Sequence, residues 1–406
     1  MVRFAHLADC HIGAWRDPRL SHLVDEAFSD AVSLVLERGV DFVLIAGDLF
    51  HTALPPIDRL KRAVRELERL KRAGVRVYFI AGSHDFSPTG KTMLDVLEEA
   101  GLGRNVHQAV FDDDVLRLEP VVDPATGTSL VGVPGRAGQL DTRLYKSLDA
   151  AALGALSSPK IFLFHAALKE LTPAHIRMDS HAVSVLPSGF DYYAGGHVHV
   201  VEEQSLPGYR RVVYPGPLFP ASFSELEELR GGGFCVVDLG ADVVERVSVP
   251  TKEVVVLGVD CSDKSPSQVN DLLLSAAESV VEGCVVLVRL SGRLSSGTVS
   301  DIDFRSLFSL LERRGAYAWL KNTSGVSSPQ LLDDEDVEVS SAVEVEREVF
   351  EQYSSEEELV GVDDVGSLMH SLLAVLGESQ GEGETKKSYE QRVVSDALDL
   401  LGVNEK

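Results

Sequence analysis

No stretch of this sequence reaches the ~18 consecutive apolar residues of a membrane span, so an ordinary transmembrane helix is excluded. Cysteine is scarce. Four residues in 406 (Cys10, Cys235, Cys261 and Cys284), none in a C-x-x-C pair, exclude a disulfide frame and a zinc ribbon and predict reduced thiols. Met1-Val2-Arg3-Phe4 leads straight into an apolar run, with no signal-peptide pattern, and a cytoplasmic location is expected. Positive charge is also short: 38 Lys and Arg stand against 63 Asp and Glu, a net charge of -25, which argues against indiscriminate affinity for nucleic acid. The deficit is uneven. Residues 333–406 hold 21 acids and 5 bases, a net of -16, so the other 332 residues carry only -9.

What is present is a globular composition, 44% hydrophobic and 25% charged, with the length for two or three domains. The continuous apolar run Val43-Leu44-Ile45-Ala46 ends in Gly47-Asp48, with His51 three residues on. Such a run reads as a strand buried on both faces of a parallel sheet. A carboxylate at its end is a turn-former or cap in the plain reading. In open α/β sheets, ligands bind outside the carboxyl ends of the strands, which gives a sharper one.

Four other strand-like runs end in the same chemistry. Phe4 to Ala8 ends in Asp9-Cys10-His11, Val75 to Ala81 in Gly82-Ser83-His84-Asp85, Lys160 to Phe164 in His165, and Tyr192 to Gly196 in His197-Val198-His199. At period two, Asp9 and His11 share a side of an extended segment, as do His197 and His199. Six of the twelve histidines lie at or just beyond strand ends, a bias that random placement does not give. Mixed nitrogen and carboxylate donors suit Mn²⁺, Fe²⁺ or Zn²⁺ better than Ca²⁺ or Mg²⁺. There are too many donors for one ion and enough for two ions about 3.5–4 Å apart, the arrangement that clamps a displacement at phosphorus.

Between these ends, an apolar face from Leu20 to Leu36 closed by Gly39 predicts a helix over 20–38; residues 57–73 and 91–100 predict two more. Residues 102–158 are expected to form a crossing edge between two sheets, and Val212–Gly216 and Gly233–Asp238 to continue the second sheet. The pattern restarts near 250. Alternating strand and helix signals over 253–321 predict a small α/β domain, followed by an acidic linker over 323–354 with a strand-like patch from Val337 to Val345. Helices are expected over 355–376 and 387–402. Their apolar residues, including Leu368, Leu372 and Leu398, either dock on the chain's own core or seek a partner groove.

The order D-x-H, G-D, G-S-H-D, H, G-H-x-H resembles the calcineurin-like metallophosphoesterases. The stretches FAHLADCHIG, DFVLIAGDLFH, YYAGGHVH and VYPGPL are similar to the double-strand-break repair nucleases of the SbcD / Mre-eleven type, over about residues 1–220. The resemblance implies an α/β fold: a four-layer α/β/β/α sandwich over 1–250, a small capping domain over 251–322 that binds DNA, the 323–354 linker, and a helical segment over 355–406 that binds an SMC-like coiled-coil ATPase. It implies a homodimer and two Mn²⁺ per subunit. Asp9, His11, Asp48 and His199 would hold one ion, and Asp48, Ser83, His165 and His197 the other. His84 would be the general acid and His51 would orient the scissile phosphate. Ser83 departs from the family pattern, which has Asn there. The implied activity is 3′-to-5′ exonuclease and single-strand endonuclease. The alternatives are a phosphatase on the same centre, or a weakly catalytic DNA-end scaffold because of Ser83.

Overall fold

The computed structural model describes residues 2–329, except 88, 113–114, 137–139 and 177, together with 368, 371–372, 375–376 and 386–401. The chain opens with a repeating strand–helix run: β1 (Arg3–Leu7), α1 (Pro18–Arg38), β2 (Phe42–Ala46), α2 (Ile57–Arg72), β3 (Arg76–Ile80), α3 (Met93–Glu99) and β4 (Arg104–Asn105). The four strands are parallel. Local chemistry sets the helix limits. The Asp17 carboxylate accepts from the Arg19 N–H at 2.8 Å, Pro18 takes the first turn where its missing N–H costs nothing, and Gly39 ends α1 at φ 61°.

β5 (Ala109–Asp112) and β6 (Val115–Leu118) form a separate hairpin. A second run then supplies β7 (Val121–Val122), β8 (Ser129–Val133), α4 (Leu140–Ser147), α5 (Ala150–Gly154), β9 (Lys160–His165), β10 (Tyr192–Gly196), β11 (Val201–Leu206) and β12 (Tyr209–Pro215). The second sheet has the order β11-β12-β10-β9-β8-β7, with β8, β9, β10 and β12 parallel. After the short helix α6 (Phe223–Leu229), β13 (Gly233–Asp238) and β14 (Val243–Ser248) return to the first sheet, whose order is β14-β13-β1-β2-β3-β4. This corrects the expectation that Gly233–Asp238 continues the second sheet. It pairs antiparallel with β1, Phe4 opposite Val237 and His6 opposite Cys235, and so covers the open edge of the first strand.

The two sheets pack face to face. Phe4, Phe42, Leu44 and Ile80 of the first meet Leu130, Ile161, Leu163 and Tyr192 of the second in a core without exposed members. A buried polar link from His6 Nδ1 to the Tyr192 hydroxyl, 2.9 Å long, joins the two sheets. Leu20, Leu23, Val24, Ala27 and Phe28 of α1 and Leu67 and Leu70 of α2 cover the outer face of the first sheet. Tyr145 of α4 and Leu153 of α5 pack on the outer face of the second. The layers are therefore α/β/β/α.

β15 (Val254–Asp260), α7 (Pro266–Ala277), β16 (Val285–Arg293), α8 (Phe304–Arg313) and β17 (Ala318–Ser327) form a third, all-parallel sheet with two helices. Its own core lies under α7 and α8, while Val254, Val285, Leu287 and Ala318 on its other face join the core of the first sheet. β17 runs on to Ser327, so residues 323–327, expected in the acidic linker, belong to the sheet.

The chain divides into two compact units, Met1–Ser328 and Pro329–Lys406. In the second, α9 (Lys386–Leu400) forms where a helix over 387–402 is predicted, and Leu368, Leu372 and Leu376 are helical. The patch from Val337 to Val345 lies outside the described residues. Among the described residues no helix is long and apolar enough to cross a membrane.

Candidate metal centre

The parallel strands of both sheets end at one rim, and their loops are joined there by backbone bonds. The Asp9 N–H donates to Gly47 O at 3.2 Å, the His11 N–H to Asp48 O at 3.0 Å, and the His197 N–H to both carboxylate oxygens of Asp9 at 3.0 Å. The turns are sharp. Asp9, His11, Asp48, His197 and His199 have φ of 50°, 43°, 50°, 99° and 58°, in the left-handed region that side-chain-bearing residues avoid. These are five of the ten non-glycine residues in that region among those described, so strain is concentrated at the rim. Glycines at the rim permit close approach. A Cβ on Gly82 would lie 2.1 Å from Asp48 Oδ1, and one on Gly47 would lie 2.1 Å from His165 Nδ1.

All nine residues singled out in the sequence come together at this rim. Three groups have donor atoms within 4.8 Å of one another: one of imidazoles alone, His11, His51 and His84, and two that include a carboxylate, Asp9, His11 and His199, and Asp48, His165 and His197. Asp48 Oδ2 lies between the latter two, 3.8 Å from His11 Nε2 and 3.2 Å from His165 Nε2, while Oδ1 accepts from the His84 N–H at 2.8 Å. His165 Nδ1 donates to Ala46 O at 2.9 Å, and its buried Nε2 has no hydrogen-bond partner. His11 and His199 face each other through their Nε2 atoms at 2.9 Å. The Ser83 hydroxyl donates to Asp48 Oδ2 at 3.4 Å. His84 is exposed, with Nδ1 donating to His51 O at 2.9 Å and its ring stacked on that of His51 at 5.2 Å.

Two residues that sequence reading left without a role belong to this rim. Asp85 is buried and ties two loops together, accepting from the Phe50 N–H at 3.1 Å and the Gly82 N–H at 2.9 Å. Glu225 of α6 reaches His199, with Oε2 at 3.0 Å from Nδ1. Asp85 could have been found beside His84 in the G-S-H-D stretch. Glu225 gave only the signal of a helix start, since Ser222 precedes it by three residues.

Two carboxylates buried almost completely, Asp9 and Asp48, need compensating positive charge. Burial alone would push them up. His199 and His165 hold Asp9, and His165 and His11 hold Asp48, below the usual carboxylate range. The imidazoles divide. Burial lowers His11 to about 3 and, with the help of His165, His197 to about 4. Against the pull of burial, Asp48 and Asp9 hold His165 up at about 9, and Asp9 and Glu225 hold His199 up at about 10. Burial and the Asp48 charge push Asp85 up to about 7. Two anionic carboxylates and ring nitrogens crowded against them and against one another make a donor set that fits divalent cations once the imidazoles give up their protons.

A prediction follows for the metal-free protein. His6 (held at about 3 by burial), His11 and His197 stay neutral in the fold but gain a proton when unfolded, so stability falls as pH drops below the ordinary histidine value of about 6.5. His165 and His199 do the reverse, and their contribution is lost as pH rises from about 6.5 through their raised values. Melting curves in chelator should therefore peak near pH 6.5. Saturating Mn²⁺ should abolish the decline on the alkaline side, because liganded imidazoles are neutral there.

Aspartates and histidines gathered at the strand ends of a double sheet are the mark of a phosphoesterase class. Residues 2–201 match the calcineurin-like phosphoesterase family. The chain is also similar to archaeal proteins named DNA double-strand break repair protein Mre11. It is 31% identical over 249 residues to that of Methanopyrus kandleri, covering 58% of this chain and 54% of the relative. It is 29% identical over 230 residues to that of Archaeoglobus fulgidus (53% and 49%), and 24% identical over 403 residues to that of Methanocaldococcus jannaschii (96% and 98%). The chain thus spans about half the length of the first two.

Proposed function

We propose that this chain is a two-metal phosphodiesterase acting on DNA: a Mn²⁺-dependent double-strand-break repair nuclease with 3′-to-5′ exonuclease and single-strand endonuclease activity. The observation that carries this reading is Asp48 Oδ2, set between two donor groups with exposed His84 alongside. The repair proteins among its relatives support the choice of DNA. Asp9, His11, Asp48 and His199 hold one cation; Asp48, Ser83, His165 and His197 hold the other. When bound, the pair supplies Lewis-acid stabilisation of the charge that develops at phosphorus and lowers the pKa of water.

The chain's own groups do the rest. Because His84 Nδ1 is committed to His51 O, its exposed Nε2 is the atom that gives a proton to the departing 3′ oxygen. His51, stacked against it, orients the scissile phosphate. Residues 1–250 form the nuclease domain and 251–327 a cap over the DNA. An acidic segment follows, and residues 355–406 bind an SMC-like ATPase of the SbcC / Rad-fifty type. The working form is a homodimer.

Incubation with end-labelled duplex DNA and, in parallel, with p-nitrophenyl phosphate tests the reading. Shortening of the duplex in Mn²⁺ supports it. Turnover of p-nitrophenyl phosphate with intact DNA identifies a phosphatase, and inertness toward both leaves an end-binding scaffold. Copurification with an ATPase, lost on truncation before residue 345, tests the partner.

Ser83 offers only a short hydroxyl, already directed at Asp48. Ser83→Asn brings an amide oxygen to the same place. It is expected to tighten the weaker of the two Mn²⁺ sites about tenfold, or about 1.4 kcal/mol. Calorimetric titration with unchanged affinity would count against Ser83 as a ligand position.

A further inference from the structure

Glu225 sits on α6, outside both donor groups, and its carboxylate is fixed independently of any imidazole. Oε2 accepts from the Ala221 N–H at 2.9 Å and Oε1 from the Ser222 hydroxyl at 2.9 Å, while that hydroxyl accepts from the Glu225 N–H at 3.2 Å. Oε2 also lies 3.0 Å from His199 Nδ1. An ionised carboxylate only accepts, so Nδ1 must be the donor. That leaves Nε2 as the ring atom turned toward Asp9 Oδ1 at 3.6 Å and His11 Nε2 at 2.9 Å.

We propose that Glu225 is the positioning residue of the first cation site: it fixes His199 with the proton on Nδ1 and aims Nε2 into the Asp9–His11 group. This rests on the two-cation reading above. Neither group of donors contains Glu225, and no donor atom of the second group touches it among the bonds described, so its effect is confined to one of the two sites.

The same helix is gripped from the third sheet. Arg289 on β16 pairs with Glu227 through Nε at 2.7 Å and lies 5.1 Å from the Phe223 ring, and Arg230 Nη1 donates to Val254 O on β15 at 3.0 Å. The orientation of His199 thereby depends on how that sheet is docked.

The test is calorimetric Mn²⁺ titration of the full chain, with the absorption spectrum of bound Co²⁺ as a second readout that does not depend on turnover. Wild type should show two sites. Glu225→Ala should weaken one of them by about 10–100-fold and shift the Co²⁺ bands of that site alone. Glu225→Gln keeps an acceptor oxygen and should recover part of the loss; a merely structural role in α6 would instead leave the Co²⁺ bands of both sites unmoved. Arg289→Ala should weaken the same site by a smaller factor. Melting curves verify that each variant is folded. If wild type binds no cation, the two-cation reading fails and this inference falls with it. If wild type binds two and folded Glu225→Ala binds both with unchanged affinity and spectrum, only the role of Glu225 is overturned.

Discussion

Asp48→Asn should reduce phosphodiester cleavage by more than about a thousandfold and leave the protein unable to hold two cations at once. Oδ2 of Asp48 is the atom within reach of both His11 and His165, and the substitution removes its charge while keeping nearly the same shape. The fold should survive. An Asn oxygen can still accept from the His84 N–H, the contact that Asp48 Oδ1 makes at 2.8 Å. His165 loses the main source of its raised pKa and can become neutral, which limits the cost of leaving a buried ring without its counter-ion. Two measurements check this: Mn²⁺ stoichiometry by calorimetry and cleavage of labelled duplex. A variant that still binds two ions and cuts within tenfold of wild type rules out Asp48 as the shared ligand.

His84→Asn should behave differently. The Asn amide can donate to His51 O as His84 Nδ1 does, so the loop keeps its bond, but nothing replaces Nε2. Loss of a positioned general acid costs about 10²–10⁴-fold in rate. Binding of both cations should be unchanged, since His84 reaches Asp48 through its backbone N–H. The deficit should also depend on the leaving group. An ester with a good leaving group, such as bis(p-nitrophenyl) phosphate, needs little protonation and should be hydrolysed at close to the wild-type rate. Equal losses on DNA and on that ester would remove His84 from the role of proton donor.

The parts of the fold that could be read in advance are those where burial writes itself into composition. β2 is buried at all five positions and appears as an unbroken apolar run; α1 buries one stripe and appears as a period of 3.6. The rim was legible for a related reason: Asp and His directly after such runs interrupt a pattern that has no structural need of them. Other features could not be read this way. β5 is exposed at every residue, so no alternation marks it. Strand periodicity does not name a partner, which is why β13 was expected in the wrong sheet. Glu225 lies 26 residues from His199 on another element, and their meeting depends on how α6 is seated.

The left-handed turns at Asp9, His11, Asp48, His197 and His199 also bear on how this chain can change over time. Glycine would relax each of those turns. Heat resistance and chemistry therefore pull in opposite directions at the same five positions. Lineages kept only for their sandwich, as scaffolds for another molecule, would be expected to lose this rim first and melt higher for having lost it.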